Sequence, residues 1–352
     1  MSSRAMEGTC LAALVRMAIP LCRAAERECP RIGPGSPPYY PVWKMAVFIV
    51  VAVAKRRKSK SAQYRFLHQH RAELMEWLDL KEFPARSTFF ARYRQAHRLF
   101  KEAIRLQGQK AIQEGVANPR TVAVDKSLVP ARGPQWNQKD RQANRIPKRG
   151  IDRDARWGHS QHDGWIYGYS YEVVVTATEG STVFPLQASA DTASASEHAT
   201  FGDKIKHLPK QTKDVTADRG YDNVNFADAI ERDRGGRRTG RRFACPPARR
   251  GRTPRNSKKR SREPVDPRRR RRLKFCRSRA GKRLMAQRSK TVEPFNQWFK
   301  NLFDLDDRVW HRGLGNNQTQ LLAAVFCYQL LVRYNRQRGR VNGEVRWILD
   351  SL

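Results

Sequence analysis

The sequence lacks the cysteine patterns that hold metal ions or cross-link small secreted folds. None of its cysteines forms a CxxC pair, and they are scattered through apolar and loop contexts. A zinc site or a disulfide framework is therefore not expected, and reduced thiols in a cytoplasm fit best. The six are Cys10, Cys22, Cys29, Cys245, Cys276 and Cys327.

Apolar runs long enough to cross a membrane are also missing. The run Met45–Ala54 has about ten residues, whereas a membrane crossing needs roughly 20. Prolines precede it and KRRK follows it, which predicts a buried helix with a cationic end. Leu11–Leu21 is interrupted by Arg16 and has no small-residue cleavage site, so a signal peptide is not expected. Residues 1–39 show little periodicity and are predicted to be a poorly structured extension.

Acidic residues are scarce beside basic ones. The chain has 33 Asp or Glu against 70 Lys or Arg, a net charge of +37. Such an excess predicts a polyanionic partner, either nucleic acid or, as the competing reading, anionic lipid. Residues 1–120 hold 22 basic and 9 acidic residues, residues 249–283 hold 18 and 2, and residues 121–248 hold 20 and 16. We therefore expect a nearly neutral folded core flanked by basic regions.

Residues 40–118 carry apolar side chains at helical spacing on both sides of the turn sequence KEFPARS. Two helices joined by a short turn, the second rich in arginine, are typical of a helix-turn-helix. An ordinary amphipathic helix with a solvated basic face explains this segment equally well. Under the first interpretation, the DNA-contacting residues include Arg86, Arg92 and Arg94.

From residue 119 the apolar pattern changes from helical to alternating, which predicts a mixed α/β fold over residues 119–340 followed by a tail at 341–352. The predicted strands cover residues 121–125, 167–178, 182–188, 214–218 and 242–245, with helices over 196–208 and 223–234. The insert at 249–283 contains the run Arg268–Arg272 and almost nothing apolar. Such a block is predicted to stay disordered until a polyanion binds.

Three carboxylates stand at the ends of predicted elements. Asp125 closes the first strand, Asp218 closes the fourth, and Glu293 opens a helix just before Pro294. Each has an ordinary structural explanation, because Asp often ends strands and Glu suits the first turn of a helix. If all three converge, they repel one another unless cations neutralise them. Oxygen ligands of this kind suit Mg²⁺ or Mn²⁺, and paired ions serve in-line phosphoryl transfer.

Four sequence blocks occur in the same order as in a known enzyme family. They are VAVDKSLVPARG, YGYSYEVVV, TADRGYDN and RSKTVEPFNQWFK, within a match that spans about residues 85–335. Together they closely resemble the bacterial DDE transposases of the insertion sequence 4 and 5 families. The resemblance implies an RNase H-like mixed-sheet core in which Asp125, Asp218 and Glu293 are the catalytic triad and bind two Mg²⁺ or Mn²⁺ ions.

The same resemblance implies a reaction and a set of partners. The expected reaction is metal-dependent cleavage at transposon ends, followed by transfer of the 3′-OH strand into target DNA. The partners would be double-stranded DNA, as terminal inverted repeats and target, and a second copy of the chain in the end complex. We expect no membrane or small-molecule substrate, and a location in the prokaryotic cytoplasm at the nucleoid. The implied DNA contacts are Arg288 and Lys300, to which the charge pattern adds Arg268, Arg269, Arg270, Arg271 and Arg272.

The chain departs from the family pattern at three places. Met285 stands where a Tyr is common, four residues separate Arg288 from Glu293 where three are usual, and Ser170 stands where Lys is frequent. Three alternative functions remain open: a catalytically inactive or domesticated transposase-derived DNA-binding protein, a stand-alone nuclease, and an RNA-binding basic protein.

Weaker signals lie between the first two predicted strands and beside Asp218. His159, His162 and Asp163 have a spacing that suits a metal, although solvent-exposed histidines are the preferred interpretation. Arg156 and Trp157 are candidate DNA contacts. Tyr221 is expected to pack at the site.

Overall fold

The computed structural model describes residues 10–29, 39–146, 148–160, 163–233, 235–248, 266–340 and 344–352. Within these ranges there are thirteen α-helices and six β-strands. The helices are α1 Cys10–Glu28, α2 Val42–Ala54, α3 Lys60–Gln69, α4 Arg71–Trp77, α5 Arg86–Tyr93, α6 His97–Gln113, α7 Gln138–Gln142, α8 Glu197–Lys206, α9 Val224–Glu231, α10 Pro267–Arg277, α11 Arg279–Leu302, α12 Leu314–Gln337 and α13 Arg346–Ser351. The strands are β1 Thr121–Pro130, β2 Arg156–Ser160, β3 Gly164–Thr176, β4 Pro185–Thr192, β5 Asp214–Ala217 and β6 Arg242–Ala244.

The six strands form one mixed sheet in the order β2-β3-β1-β5-β6, with β4 also paired to β3. β3 is antiparallel to β1, β2 and β4, whereas β5 is parallel to β1 and β6 is parallel to β5. The long strand β3 pairs with β2 along its first residues and with β4 along the rest of the same edge. This mixed α/β arrangement is compatible with the predicted RNase H-like core.

The first predicted strand was too short. β1 continues five residues past Asp125 to Pro130, although Lys126 and Ser127 break the apolar alternation. The strand continues because β3 pairs with it along this length, with Lys126 opposite Glu172. β5 ends at Ala217, so β1 runs on without a parallel neighbour beyond Val124. Asp125 therefore lies inside β1, at the first residue that is no longer paired with β5.

A layer of helices covers one side of the sheet. α2 is buried along nearly its whole length, which confirms the buried helix predicted from Met45–Ala54. It packs against α1, α6 and α12, and α6 and α12 pack in turn on β4. One hydrophobic cluster extends from these helices into the sheet. The predicted division at residues 118/119 thus stays a prediction, and the packing is continuous across it.

The prediction of little structure for residues 1–39 was wrong for Cys10–Glu28. This segment is the 19-residue helix α1, whose buried side chains include Leu14, Val15, Ala18 and Cys22. Pro20 lies inside the helix and weakened the sequence signal. The helix forms because one of its faces covers α2 and α6.

The prediction of disorder for the basic insert was wrong for its second half. Residues 267–277 form α10, and the last residues of the insert belong to α11. α10 begins with Asp266, whose side chain accepts from the backbone of Arg268, and with Pro267 in the first turn. The same prediction for residues 249–265 falls outside the described residues.

The predicted second helix of the helix-turn-helix is two helices, α5 and α6, separated at residues 94–96. α5 has Phe89 and Tyr93 buried against the helical layer. Arg86 and Arg94 are exposed and Arg92 is half-buried. A DNA-binding role for this region stays a prediction.

Candidate active site

Asp125 and Asp218 are brought together by the parallel pairing of β1 with β5. In the register of these strands Val124 lies opposite Ala217, and the next residue on each chain is one of the two aspartates. Adjacent strands in a sheet are about 4.8 Å apart. The two carboxylates therefore start from neighbouring positions at the same edge of the sheet. Asp218 also caps the 3₁₀ turn Arg219–Tyr221, and its Oδ1 accepts from the backbone of Gly220 at 2.8 Å.

Glu293 lies on α11, which packs across β1 and β5. Its predicted place in a first helical turn was wrong, because α11 begins at Arg279 and Pro294 lies inside the helix. The helix is capped by Ser278, whose side chain accepts from Gly281. It tolerates the proline because Val292, Phe295 and Phe299 bury one continuous face on both sides of that position.

Two further residues of α11 hold Asp125. Asn296 donates from Nδ2 to one carboxylate oxygen at 2.8 Å, and Arg288 donates to the other at 3.4 Å. Arg288 also donates to Oε1 of Glu293 at 2.9 Å. Its guanidinium therefore joins two of the three predicted catalytic acids. Asn296 was not among the predicted site residues, although its position one turn after Glu293 was an available signal.

The charges of these acids act on one another. Burial, together with the negative charges of Asp218 and Glu293, raises the pKa of Asp125 to about 7 against the opposing charge of Arg288. Burial also raises the pKa of Asp218, against the hydrogen bond from Gly220 and the charge of Arg288. Clustered acids that resist ionisation are typical of a catalytic centre.

The donors at this site fit a divalent cation in their chemistry. They are all oxygens, and Oδ1 of Asn296 is buried without a hydrogen-bond partner among the described residues. With the side chains as they stand, no group of three His, Cys, Asp or Glu in the described ranges is close enough to hold a metal ion. Arg288 pairs with both Asp125 and Glu293, so its positive charge lies where these two acids would attract a cation.

A family model described as the transposase DDE domain matches residues 117–330, well over half of the chain. The chain belongs to this family. The match covers all six strands, both aspartates and Glu293. No curated protein and no solved structure matches the chain. Membership supports a transposition-related nuclease that acts on DNA, and members generally use divalent metal ions.

Behind the acids of this transposase domain lies a buried polar cluster. Glu172 is on β3, opposite Lys126 of β1. Its carboxylate accepts from Lys204 Nζ at 2.6 Å and from Thr200 Oγ1 at 2.7 Å. Tyr221, in the turn after Asp218, donates to the same carboxylate at 2.9 Å. The Glu172 and Lys204 side chains are each 2% exposed. Tyr221 thus packs beneath the site, as expected from its sequence position.

Lys300 lies on the same helix as Glu293 and is half-buried. Burial lowers its pKa, and the charges of Asp163, Asp306 and Asp125 oppose that shift. The negative charge of Asp125 is therefore close enough to Lys300 to raise its pKa. A DNA contact by Lys300 or by Arg288 stays a prediction.

The five arginines of the predicted run differ in their surroundings. Arg270 and Arg271 are exposed, and Arg268 is exposed but paired with Asp228 and Asp266. Arg269 and Arg272 are turned onto Asp222, and the Arg272 side chain is 2% exposed. The run therefore divides into residues that face solvent and residues that hold α10 in place.

Trp157, a predicted DNA contact of the loop before β3, is instead engaged in contacts within the fold. Trp157 donates from Nε1 to the Trp136 carbonyl at 2.9 Å and packs on Tyr167, so its ring serves the fold. Trp165, on the same hairpin of the transposase domain, is 67% exposed and was missed. His159 packs on the Trp165 ring, and His162 lies outside the described residues. In the part of the chain that the structure describes, no helix is long and apolar enough to cross a membrane.

Proposed function

We propose that the protein is a transposase that cleaves DNA at transposon ends and joins the resulting 3′-OH to target DNA. The observation that carries this proposal is that Arg288 links Asp125 on β1 to Glu293 on α11, while the parallel register of β1 with β5 places Asp218 beside Asp125. Family membership supports nuclease chemistry in general. The order of cleavage and joining, and the roles of the three acids, are part of the proposal.

Each acid has a distinct structural support for this role. Asp125 is fixed by Asn296 and by the pairing of β1 with β3, in which it lies opposite Val173. Asp218 is fixed by its cap of the following turn. Glu293 is the more exposed, with 53% of its side chain accessible, and it forms an ion pair with Arg288. We propose that these acids hold two Mg²⁺ or Mn²⁺ ions, which when bound neutralise charge at the attacking and leaving oxygens.

DNA is held by charge on the flanking regions. We propose that Arg86, Arg92 and Arg94, the solvent-facing arginines of α10, Arg288 and Lys300 contact phosphates. Neutralising phosphates with Arg and Lys releases counterions, so binding is expected to weaken steeply with salt. Joining two ends requires that both be held at once, and we propose a homodimer in that complex.

The test uses the full chain with duplex DNA carrying the element's own terminal repeats. Nicking and strand transfer into a plasmid are expected with Mg²⁺, and Asp218→Asn is expected to lower the cleavage rate by roughly three orders of magnitude or more. Asp307→Asn is the matched control, because that carboxylate is 75% exposed and its ion-pair partner is the neighbouring Arg308. Equal cleavage by wild type and Asp218→Asn would overturn the proposal.

The same assay separates the alternatives. DNA binding without metal-dependent cleavage would support an inactive or domesticated DNA-binding protein. Cleavage without joining would support a stand-alone nuclease, and preference for RNA would support an RNA-binding protein. Short inverted repeats beside the gene, bracketed by a direct duplication, are the expected genomic sign of the proposed function.

A further inference from the structure

Asp222 is a buried acid that the proposed catalytic machinery does not use. It follows the 3₁₀ turn that begins at Asp218, and its side chain is 1% exposed. One carboxylate oxygen accepts from Arg269 at 2.7 Å and from the backbone of Ala248 at 2.8 Å. The other forms an ion pair with Arg272. Asp222 is four residues after Asp218 in the chain. Its carboxylate therefore contacts residues on both sides of segment 249–265, namely Ala248 before it and two arginines of α10 after it.

The two arginines depend on this carboxylate. The Nε atoms of Arg269 and Arg272 are buried without a hydrogen-bond partner among the described residues. Arg272 also donates to the Asn223 carbonyl at 3.1 Å, and its guanidinium lies 5.8 Å from the centre of the Phe243 ring. Removing one partner of a buried ion pair leaves an uncompensated charge and is strongly unfavourable. Asp222 is thus the counter-charge that lets an arginine-rich helix dock.

A second set of contacts joins α10 to Asp218. The Cys276 thiol donates to the Cys245 carbonyl at 3.3 Å, and the Cys245 thiol donates to the Asp218 carbonyl at 2.9 Å. The end of β6 therefore lies between α10 and the backbone of a predicted catalytic residue. A shift of α10 would therefore displace the Asp218 backbone through Cys245, as well as through Asp222.

α10 also determines where α11 begins. Only Ser278 separates the two helices, and it caps α11. The turn is tight: a Cβ atom at Gly281 would lie 2.1 Å from the Phe275 carbonyl oxygen, so no larger residue fits there. Because α11 carries Glu293, the docking of α10 fixes the start of the helix that brings the third acid to the sheet.

We propose that Asp222 is a positioning residue for the reaction, which sets Asp218 and Glu293 relative to each other by clamping α10 through Arg269 and Arg272. The proposal rests on the proposed function for its catalytic consequence. Its structural part stands on the contacts of Asp222, Cys245 and Ser278 given above, whether or not the chain cleaves DNA. Displacements of about 1 Å at a reacting centre can cost roughly 100-fold in rate.

The test compares Asp222→Asn and Arg272→Met with Lys274→Met in the full chain. Lys274 lies on α10 and is exposed. Lys274→Met therefore removes one positive charge, as Arg272→Met does, but leaves the contacts of Asp222 in place. In single-turnover cleavage at saturating DNA, both clamp variants are expected to slow the rate by about 10- to 100-fold. They are also expected to raise the Mg²⁺ concentration needed for half the maximal rate. Their DNA affinity is expected to change no more than that of Lys274→Met.

Two measurements do not depend on cleavage. Hydrogen exchange is expected to speed up in α10, at residues 218–222 and at the start of α11 in the clamp variants, and not in Lys274→Met. Mn²⁺ titration of the DNA-free protein, followed by electron paramagnetic resonance, is expected to show weaker binding in the clamp variants only. If wild type fails to cleave, the proposed function fails while these two readouts still decide the positioning role.

The double variant Asp222→Asn/Arg272→Met is expected to be no slower than either single variant, because both break the same clamp. Additive losses, or unchanged exchange at residues 218–222, would overturn the proposal. If Asp222→Asn does not fold, Arg269→Met replaces it, since that arginine is 23% exposed and its loss keeps the Arg272 pair. Normal exchange and normal metal dependence in Arg269→Met and Arg272→Met together would be equally decisive against it.

Discussion

Arg288 donates to the carboxylate of Asp125 across 3.4 Å, although 163 positions separate them in the chain. The same guanidinium contacts Glu293, so a positive side chain lies where the proposed metal ions are needed. Arg288 and a divalent cation therefore compete for the same acids.

This competition predicts the behaviour of Arg288→Gln. Without the guanidinium, Asp125 and Glu293 repel each other, so the metal-free variant is expected to lose about 1 kcal/mol of unfolding free energy. Mg²⁺ is expected to raise its melting temperature more than that of wild type, because binding to the folded state stabilises it. Thermal unfolding with and without Mg²⁺ measures this. Lys290→Gln, an exposed change on the same helix, is the control. Equal Mg²⁺ increments in wild type and variant would contradict the competition.

The raised pKa of Asp125 predicts a pH dependence for the metal-free protein. Its pKa is about 7 in the folded state, against an ordinary value of 3.8. The folded state therefore binds more protons between these values, and its stability falls as pH rises from about 4 to 7. Asp125→Asn is expected to lack this loss, which is on the order of 4 kcal/mol. Urea unfolding in EDTA across this range checks it, and parallel pH curves for the two proteins would show the prediction to be wrong.

The division of the arginine run predicts two different phenotypes. Arg270→Gln and Arg271→Gln are expected each to reduce the slope of log affinity against log salt by up to about 1, the value for one phosphate contact. Their unfolding should match wild type, because both side chains are exposed. Arg272→Gln is expected to lose stability instead. DNA titrations at several salt concentrations, with urea unfolding alongside, separate these effects.

The buried pair of Glu172 and Lys204 predicts strong coupling. Burial lowers the pKa of Lys204, and Glu172 opposes that shift. Lys204→Met alone is expected to cost about 3–5 kcal/mol because it leaves a buried carboxylate unpaired. Glu172→Gln in the same chain should recover part of the loss. Lys206→Met, on the same helix and 63% exposed, is the control for urea unfolding. Simple additivity of the two core changes would argue against the coupling.

Helix α1 predicts that the N-terminal segment is needed for folding. Leu14 is 1% exposed, so Leu14→Ala is expected to lower the unfolding free energy by about 2–5 kcal/mol. A chain that begins at Tyr39 is expected to expose apolar surface of α2 and α6 and to bind a hydrophobic dye. Urea unfolding and dye fluorescence measure the two. A truncated chain with wild-type stability would restore the original prediction that this segment has little structure.

The sequence was most informative where local pattern and burial agree. Apolar alternation located β3 and β5, and the order of the sequence blocks located the three acids. It was least informative where a distant partner decides the outcome. Arginines repel one another in isolation, and nothing near Arg272 in the chain indicates that Asp222 neutralises it. The role of Asn296 likewise becomes visible only in the folded structure, where it donates to Asp125. Pro294 suggested a helix start because local rules weigh a proline more than the packing of a long apolar face.

The burial of α2 has a consequence for how the chain is made. This apolar helix leaves the ribosome early, but α12, which covers part of it, begins 260 residues after α2 ends (314 − 54). At synthesis rates of about 5–20 residues per second, that interval is roughly 13–52 s. During this time the apolar surface of α2 that α12 later covers is exposed to solvent. We therefore expect newly made chains to need chaperones or early packing of α1 and α6 on α2, and chains that end before α12 to be prone to aggregate.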